Sequence, residues 1–511
     1  MKKSLSLIPK LGCFVALGLT CALVPLIAPL AAPLDLSARE VSGLPTLGDA
    51  AAGELSPLQE RKLGERVMNE IRRDPDYLND APLLEYLNRF GSGLVATRPD
   101  VRGEADYDFF FFMVRDPMIN AFALPGGFIG IHSALLLAAD NESQLASVLA
   151  HEIGHVAQRH IARMIGNQKQ DVLIPLASIA LAALAAHSSG DAAAGIMMGG
   201  TGLAVQRQLN FSRDAEREAD RVGLQILEAG GFDPSGMVAF FGRMQSATRN
   251  YSDVLPPYLL SHPLTSERIA DIEARIRGHH YRQHLDSPDF QLIRARVRVL
   301  QDSSVQGLDD ATAVFKEQLL LKTPIERAAA SYGLGVVALK HGDWQRAQQL
   351  LQQTQATIPS LQSNAILASF GIEIELAANH AVSALQRAQA AHTQFPLSRG
   401  IARQVGEAMI AAGQTDQAVR YLRDQAQSYR AEPELQALLA KAYAAQGKQT
   451  LQHLALAESY ALLGSIPSAL EQLKIARAAR DGSFYDQAIV DARERELQAQ
   501  WRQQLEDSKN K

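Results

Sequence analysis

The sequence predicts a mainly α-helical protein with a small β-sheet, in which a mixed N-terminal domain precedes a C-terminal α-solenoid. Three observations predict this. Ala, Leu and Gln are abundant and only 6% of residues are aromatic, which favours helices. Strand-like texture is confined to a short region, residues 107–132. After about Gln301 the chain turns into Ala/Gln/Leu-rich helices that recur about every 34 residues. At 511 residues the chain is too long for one ordinary core and should hold two or three domains. The expected division is a leader at 1–32, a first domain at 50–285 and a repeat domain at 300–500.

Bulk properties narrow the function. Net charge is −5 and there is no dense basic run, so no nucleic-acid partner is expected. The only cysteines, Cys13 and Cys21, lie in an apolar run at 11–32 that follows Lys2 and Lys3 and is broken by Pro25 and Pro29. This reads as a secretory signal removed on export; the alternative is an uncleaved membrane anchor. The cleavage point stays open. Ala32 precedes Pro33 and follows Leu30 by two, and Gly18-Leu19-Thr20 is a poor lipobox before Cys21. Without the leader the chain has no thiol, so any metal must be held by His and carboxylates.

The elements follow in order. Ser56-Pro57-Leu58-Gln59 is a capping box with Pro at the first helical position, opening a helix to about Arg72. A second helix is expected over 83–90, ending at Gly91. Residues 107–114 form a strand, and 121–124, Pro125-Gly126-Gly127 and 128–132 read as strand, turn, strand. The strand at 128–132 is expected at an exposed edge, where an extended peptide could add by main-chain hydrogen bonds. Asn141 caps the next helix, whose buried stripe is Leu145, Val148, Leu149, Ile153 and Val156. Residues 172–187 are an apolar helix followed by a Gly/Ala/Met-rich stretch at 188–202. Sixteen helical residues rise about 24 Å, short of a hydrocarbon core of about 30 Å. A mobile lid, or a plate making peripheral contact with a membrane surface, is therefore expected over a transmembrane hairpin, with a plain core helix as the alternative. A further helix runs from Ser212 to Ala229 and ends at Gly230-Gly231.

In the C-terminal part, Gly335, Gly342-Asp343-Trp344, Ala347 and Pro359 match the tetratricopeptide pattern. Gly406, Gly413 and Ala418 repeat it. Degenerate copies carry Ala384, Ala391 and Pro396, then Tyr460, Gly464, Ala469 and Ala476. The key alanines Ala347, Ala384, Ala418 and Ala469 are 37, 34 and 51 residues apart, the last about one and a half repeats. Such a stack leaves a concave groove; irregular helix pairs are the alternative.

The chemistry lies in His151-Glu152-Ile153-Gly154-His155. Residues four apart on a helix share a face, so both imidazoles can grip one ion, while Glu152 sits one step round, near a water on that ion. This is the zinc-hydrolase signature, with one Zn2+ expected per chain. A catalytic zinc takes three protein ligands and keeps one open position. The third ligand is expected from the helix holding Glu216 and Asp220, which share a face. One of these carboxylates can bind zinc while the other accepts an N–H from a ligand His. Glu218 lies on roughly the opposite face. Taken alone, this run reads as a solvated charged helix. Zinc lowers the pKa of its water toward about 7 and polarises the scissile carbonyl. Glu152 would take the water's proton and pass it to the leaving amine. His262, in Ser261-His262-Pro263-Leu264-Thr265-Ser266-Glu267-Arg268, is expected either to stabilise the intermediate or to bind zinc as a fourth ligand that keeps the site shut. The plain alternative is a loop residue before a helix capped by Thr265 or Ser266. His132 and His160 are expected to be structural or solvated, with His160, five places after His155, pointing elsewhere.

Asn120-Ala121-Phe122-Ala123-Leu124-Pro125-Gly126-Gly127, His151 to His155, Glu216 to Asp220 and Ser261-His262-Pro263 together resemble the gluzincin metallopeptidases of the CAAX prenyl protease and HtpX type. With a leader and a repeat array, the resemblance is to the exported, tetratricopeptide-bearing members. It implies Glu216 as the third zinc ligand and His262 as a regulatory switch at the zinc. It implies a periplasmic endopeptidase acting on unfolded or misassembled outer-membrane proteins, with repeats that dock on the outer-membrane barrel-assembly machinery. Relatives' disulfides cannot be present in a mature chain without cysteine. Two other readings stand beside it: a chaperone or assembly scaffold with gated or minor proteolysis, and a membrane-embedded protease.

Overall fold

A computed structural model describes residues 55–103, 106–166, 212–250, 257–278, 284–321 and 323–509. The leader and the apolar stretch at 172–202 lie outside the described residues. Among those described, no helix is long and apolar enough to cross a membrane.

The first helix, α1 (Pro57–Arg73), opens with the expected capping box, Ser56 and Gln59 each accepting the other's backbone N–H. The second, α2 (Ala81–Thr97), does not stop at Gly91. A Cβ at Gly91 would meet the Phe111 ring at 2.3 Å. The glycine makes room for a strand side chain and is not a terminator. Three strands follow: β1 (Phe110–Val114), β2 (Ala121–Leu124) and β3 (Phe128–His132). Gly126 and Gly127, with φ 77° and 90°, make the β2–β3 turn.

The strand order is β1-β3-β2, with β3 parallel to β1 and antiparallel to β2. The expected exposed edge at 128–132 is therefore wrong. Every residue of β3 is buried and both its sides are paired. A hairpin's sequence does not reveal which of its strands a third will join, and here β1 covers β3. The edge toward the next long helix is β2.

After the short α3 (Ser133–Ala138) comes α4 (Glu142–Ala157), capped by Asn141, whose side chain accepts from the Gln144 N–H. Its residues from Glu142 to Val156 are all buried, so the helix is the centre of the domain. The short α5 (His160–Gly166) follows. Ser212 caps α6 (Arg213–Gly230), and Gly231 ends it in the left-handed region. Helices α4 and α6 pack with backbones almost touching. A Cβ at Gly154 would lie 2.9 Å from the Ala219 carbonyl oxygen, and one at Gly223 would lie 3.2 Å from the His151 nitrogen. Two glycines, one on each helix, set this spacing. The helices α7 (Ser235–Asn250), α8 (Pro257–Ser261) and α9 (Ser266–Ile276) complete this half, Thr265 being the cap of α9.

The array begins with α10 (Pro288–Gln301) and α11 (Val305–Leu321). Hairpins follow: α12 (Pro324–Lys340) with α13 (Trp344–Thr357), α14 (Ala365–Ala377) with α15 (Ala381–Gln394), and α16 (Arg399–Ala411) with α17 (Thr415–Ser428). Then come α18 (Pro433–Ala445), α19 (Gln449–Leu462), α20 (Ile466–Ala478) and α21 (Phe484–Lys509). Ala347, Ala384, Ala418 and Ala469 are fully buried where paired helices cross. Gly342, Gly413, Gly447 and Gly464 turn the hairpins at φ 71–78°, and Asn379 does so at φ 58°, which explains one degenerate copy. The long interval to Ala469 arises because two helices, α18 and α19, stand between α17 and α20 where a regular repeat has one.

The array closes onto α1 and α2. Arg296 of α10 is buried, 2.7 Å from Asp80 at the α2 cap and 2.9 Å from Glu373 of α14. Glu85 of α2 accepts from the Ser398 hydroxyl and the Gly400 N–H of α16. Gly464 lies against the Asn69 side chain of α1.

The helix contact yields a stability prediction. Gly154→Ala should destabilise the fold by about 1–3 kcal/mol through overpacking. Gly242→Ala, where a Cβ meets nothing within 4 Å, should instead stabilise it by about 0.5–1 kcal/mol. Chemical unfolding midpoints of the two variants check this; equal shifts would contradict the close contact.

Candidate metal centre

Four side chains from three places in the chain meet in the interior. One turn apart on α4, His151 and His155 direct their Nε2 atoms to within 3.0 Å of each other. From α6, Glu216 brings Oε2 to 3.5 Å from His151 Nε2 and Oε1 to 3.5 Å from His155 Nε2. From the α8–α9 linker, His262 brings Nδ1 to 2.9 Å from Glu216 Oε1 and 3.4 Å from His151 Nε2. One ligand atom from each residue lies within 4.8 Å of all the others. All four are buried.

These atoms fit a zinc ion. Nitrogen and oxygen ligands about 2.0–2.1 Å from a tetrahedral ion stand about 3.3–3.4 Å from one another, close to the separations here. The donor set, imidazole nitrogen with carboxylate oxygen, is the one zinc accepts in a hydrolase. Crowding so many acceptor atoms in a dry interior is costly unless a cation shares them.

Around the cluster stand the other expected residues. Glu152 is fully buried and neither carboxylate oxygen has a side-chain hydrogen-bond partner. His262 Nε2 lies 3.6 Å from its Oε1. Burial raises the pKa of Glu152, against the pull of His262 and His151. Asp220 Oδ1 stands 3.0 Å from His151 Nδ1, near but not well aligned for a hydrogen bond. Burial alone would lower the pKa of His151, but Asp220 and Glu216 outweigh it and lift it to about 9. Burial and the neighbouring His151 push His155 well below its usual value. Burial would raise Glu216, yet His262 and His151 hold it well below the usual carboxylate range. The cluster therefore holds a carboxylate and a neutral imidazole poised to act as ligands.

Three neighbours escaped sequence reasoning. Arg268 of α9 is buried, its Nε donating to Asp220 Oδ2 at 2.8 Å and its Nη1 lying 2.7 Å from Glu216 Oε2. It holds both α6 carboxylates at once. It ends the quoted His262 segment, but a cation's burial leaves no trace in local spacing. The Tyr258 hydroxyl is buried without a hydrogen-bond partner, its ring 4.8 Å from His262. The third is His160, which does not point elsewhere: its Nδ1 is 2.9 Å from His155 Nδ1. Helical spacing misled because the helix breaks between these residues at Arg159, φ 51°. Burial lowers His160 to about 4, so it stays neutral. Glu218 stands outside the cluster, as its helix face suggested, bonded to His160 and Arg163. His132 is buried, not solvated, with Nδ1 3.1 Å from the Met118 carbonyl.

Comparison with known proteins agrees with this chemistry. Residues 87–276 match the family model for Peptidase family M48. A beta-barrel assembly-enhancing protease of Escherichia coli (strain K12) is 34% identical over 459 residues, covering 88% of this chain and 90% of that protein. Its namesake from Yersinia pestis is 32% identical over 452 residues, with 88% and 90% covered. A mitochondrial metalloendopeptidase OMA1 of Schizosaccharomyces pombe is 32% identical over 211 residues, 41% of this chain and 57% of that protein. Zinc dependence is a property of M48 peptidases, and the buried cluster could hold such an ion. This chain belongs to peptidase family M48, as a zinc metalloprotease akin to the beta-barrel assembly-enhancing proteases.

Proposed function

We propose that the protein is a periplasmic endopeptidase that degrades misassembled outer-membrane proteins and assists their assembly. Its peptidase part spans 50–285, and its repeats, 300–500, recruit clients and dock on the barrel-assembly machinery. In this reading His151, His155 and Glu216 hold the zinc. Asp220 orients His151, and Glu152 is the general base. The observation that carries the reading is the Glu152 carboxylate, buried beside the ligand cluster with both oxygens lacking a side-chain partner. A buried carboxylate without a side-chain hydrogen bond is costly and is kept where chemistry uses it. The name of the E. coli relative supports the outer-membrane setting.

Bound zinc supplies Lewis acidity, which activates water and polarises a carbonyl. Glu152 takes the proton of the attacking water on its carboxylate and gives it to the leaving amine. Its raised pKa favours the uptake of that proton. Arg268 fixes Glu216 and Asp220, so the ligands do not reorganise during the reaction. The edge of β2 lies nearest α4, so an extended substrate adds there and not at β3.

His262 supports the gated version of this function. Its Nδ1 lies within ligand range of the other three residues, where an open zinc position is needed for catalysis. In the arrangement described, His262 closes the centre and must withdraw to admit water and substrate. A scaffold whose proteolysis is held off by His262 is the second reading, and the two act in one molecule.

Three measurements follow. Glu152→Gln should keep one zinc per chain by metal analysis while peptide cleavage falls by about 10²–10⁴-fold; unchanged cleavage would remove the base assignment. Chelation should abolish cleavage, and added Zn2+ should restore it. His262→Ala should raise cleavage, by about tenfold if the closed arrangement is favoured tenfold over the open one. A fall of about 10²–10³-fold would instead make His262 a stabiliser of the intermediate.

A further inference from the structure

We infer that His160 and Glu218 form a relay that positions the zinc ligand His155, and that the left-handed turn at Arg159 exists to bring His160 there. The inference rests on the reading of His151, His155 and Glu216 as zinc ligands.

A neutral imidazole has one lone pair and one N–H. His155 turns Nε2 into the ligand cluster, 3.0 Å from His151 Nε2. A metal ion there takes that lone pair, so the hydrogen sits on Nδ1. The partner of Nδ1 is His160 Nδ1, at 2.9 Å. The His155 N–H donates and His160 accepts. This leaves the His160 hydrogen on Nε2, which donates to Glu218 Oε2 at 3.0 Å. Arg163 Nη1 donates to the same Oε2 at 2.8 Å and completes the chain. With a metal on His155 Nε2, each atom of this chain has one consistent role, from the cluster outward. Both histidines are buried, so water does not compete for these bonds.

The backbone shows the same purpose. In a continuous helix, His160 would lie well round from His155 and could not reach back. Instead α4 ends at Ala157, Arg159 takes φ 51°, and α5 restarts at His160. A left-handed arginine is disfavoured and persists only where its surroundings hold it. Glu60 of α1 holds this one, accepting from Arg159 Nε at 3.0 Å and Nη2 at 2.7 Å. The Tyr107 hydroxyl donates to the other oxygen of Glu60. Arg159 Nη2 also donates to the Leu55 carbonyl. The first helix thereby fixes the turn that presents His160 to the ligand. His151 has Asp220 beside its own Nδ1. Each ligand histidine thus has a different α6 acid behind it, Asp220 3.0 Å from His151 Nδ1 and Glu218 beyond the His160 imidazole. His160 touches neither the ion nor substrate in this scheme; it is a positioning residue.

The test is the zinc dissociation constant of the full chain, by competition with a chromophoric chelator, alongside the unfolding midpoint of the zinc-free form. His160→Leu removes the acceptor and should weaken zinc binding by about 10–100-fold. His160→Gln offers an amide oxygen to His155 and an amide N–H to Glu218, and should recover most of that loss. Glu218→Leu, which leaves His160 in place, should also weaken zinc binding and serves if His160→Leu does not fold. Equal zinc affinity in the unmodified and His160→Leu proteins, with only the unfolding midpoint lowered, would overturn the relay. The unmodified chain and His151→Ala separate this from failure of the centre itself. One zinc in the first and none in the second upholds the ligand assignment even if the relay fails, whereas no zinc in the unmodified chain removes both.

Discussion

The contact between α4 and α6 governs the rest of the molecule. Gly154 faces the Ala219 backbone and Gly223 faces the His151 backbone, so the two helices approach closer than any side chain would allow. That approach lets short acidic side chains on α6 span to imidazoles on α4 within 3.5 Å. A Cβ on either glycine would push the helices apart by a fraction of an ångström, and ligand geometry tolerates little of that. The glycine inside the His-Glu-x-x-His segment therefore serves the metal as directly as the histidines do, by setting a distance.

Electrostatics then finish what packing begins. Arg268 pairs with Asp220 and Glu216 together, so one guanidinium offsets part of the charge of these two acids before any metal binds. Glu152 has no such partner and keeps a raised pKa, the property a proton carrier needs. One buried cation thus pairs with two of the three carboxylates, Asp220 and Glu216. The repeats join this half through α10, where Arg296 ties the cap of α2 to α14. Breaking a buried pair of this kind strands charge in the interior, so the array and the peptidase half are held in register.

Much of this was legible in the sequence, and the omissions have physical reasons. Local signals read well: the capping box at Ser56, the cap at Asn141, the hairpin at Pro125-Gly126-Gly127 and the alanines of the repeats depend on neighbours in the chain. Helical periodicity places His151 with His155 on one face and Glu216 with Asp220 on another, and the fold brings these faces together; the choice between the two acids is not a local signal and comes from the family resemblance. What failed depended on distant partners. Gly91 reads as a stop in the sequence because nothing near it in the chain reveals Phe111 packing on it. The order of β3 within its sheet is set by β1, which lies outside the hairpin. His160 was misplaced because arginine is an unusual residue for a left-handed turn, and the Glu60 contact that holds Arg159 comes from a helix far earlier in the chain. No local signal marks Arg268, since its burial is a property of the assembled site.

Two helices, α4 and α6, bring together a set of atoms that could ligate one ion. Zinc-edge X-ray absorption of the loaded protein tests this directly. It should show at least two imidazole nitrogens and a carboxylate oxygen at about 2.0–2.2 Å, with the imidazole signal lost when His151 and His155 are replaced together. A zinc environment made only of water and surface carboxylates, unchanged by those replacements, would contradict it.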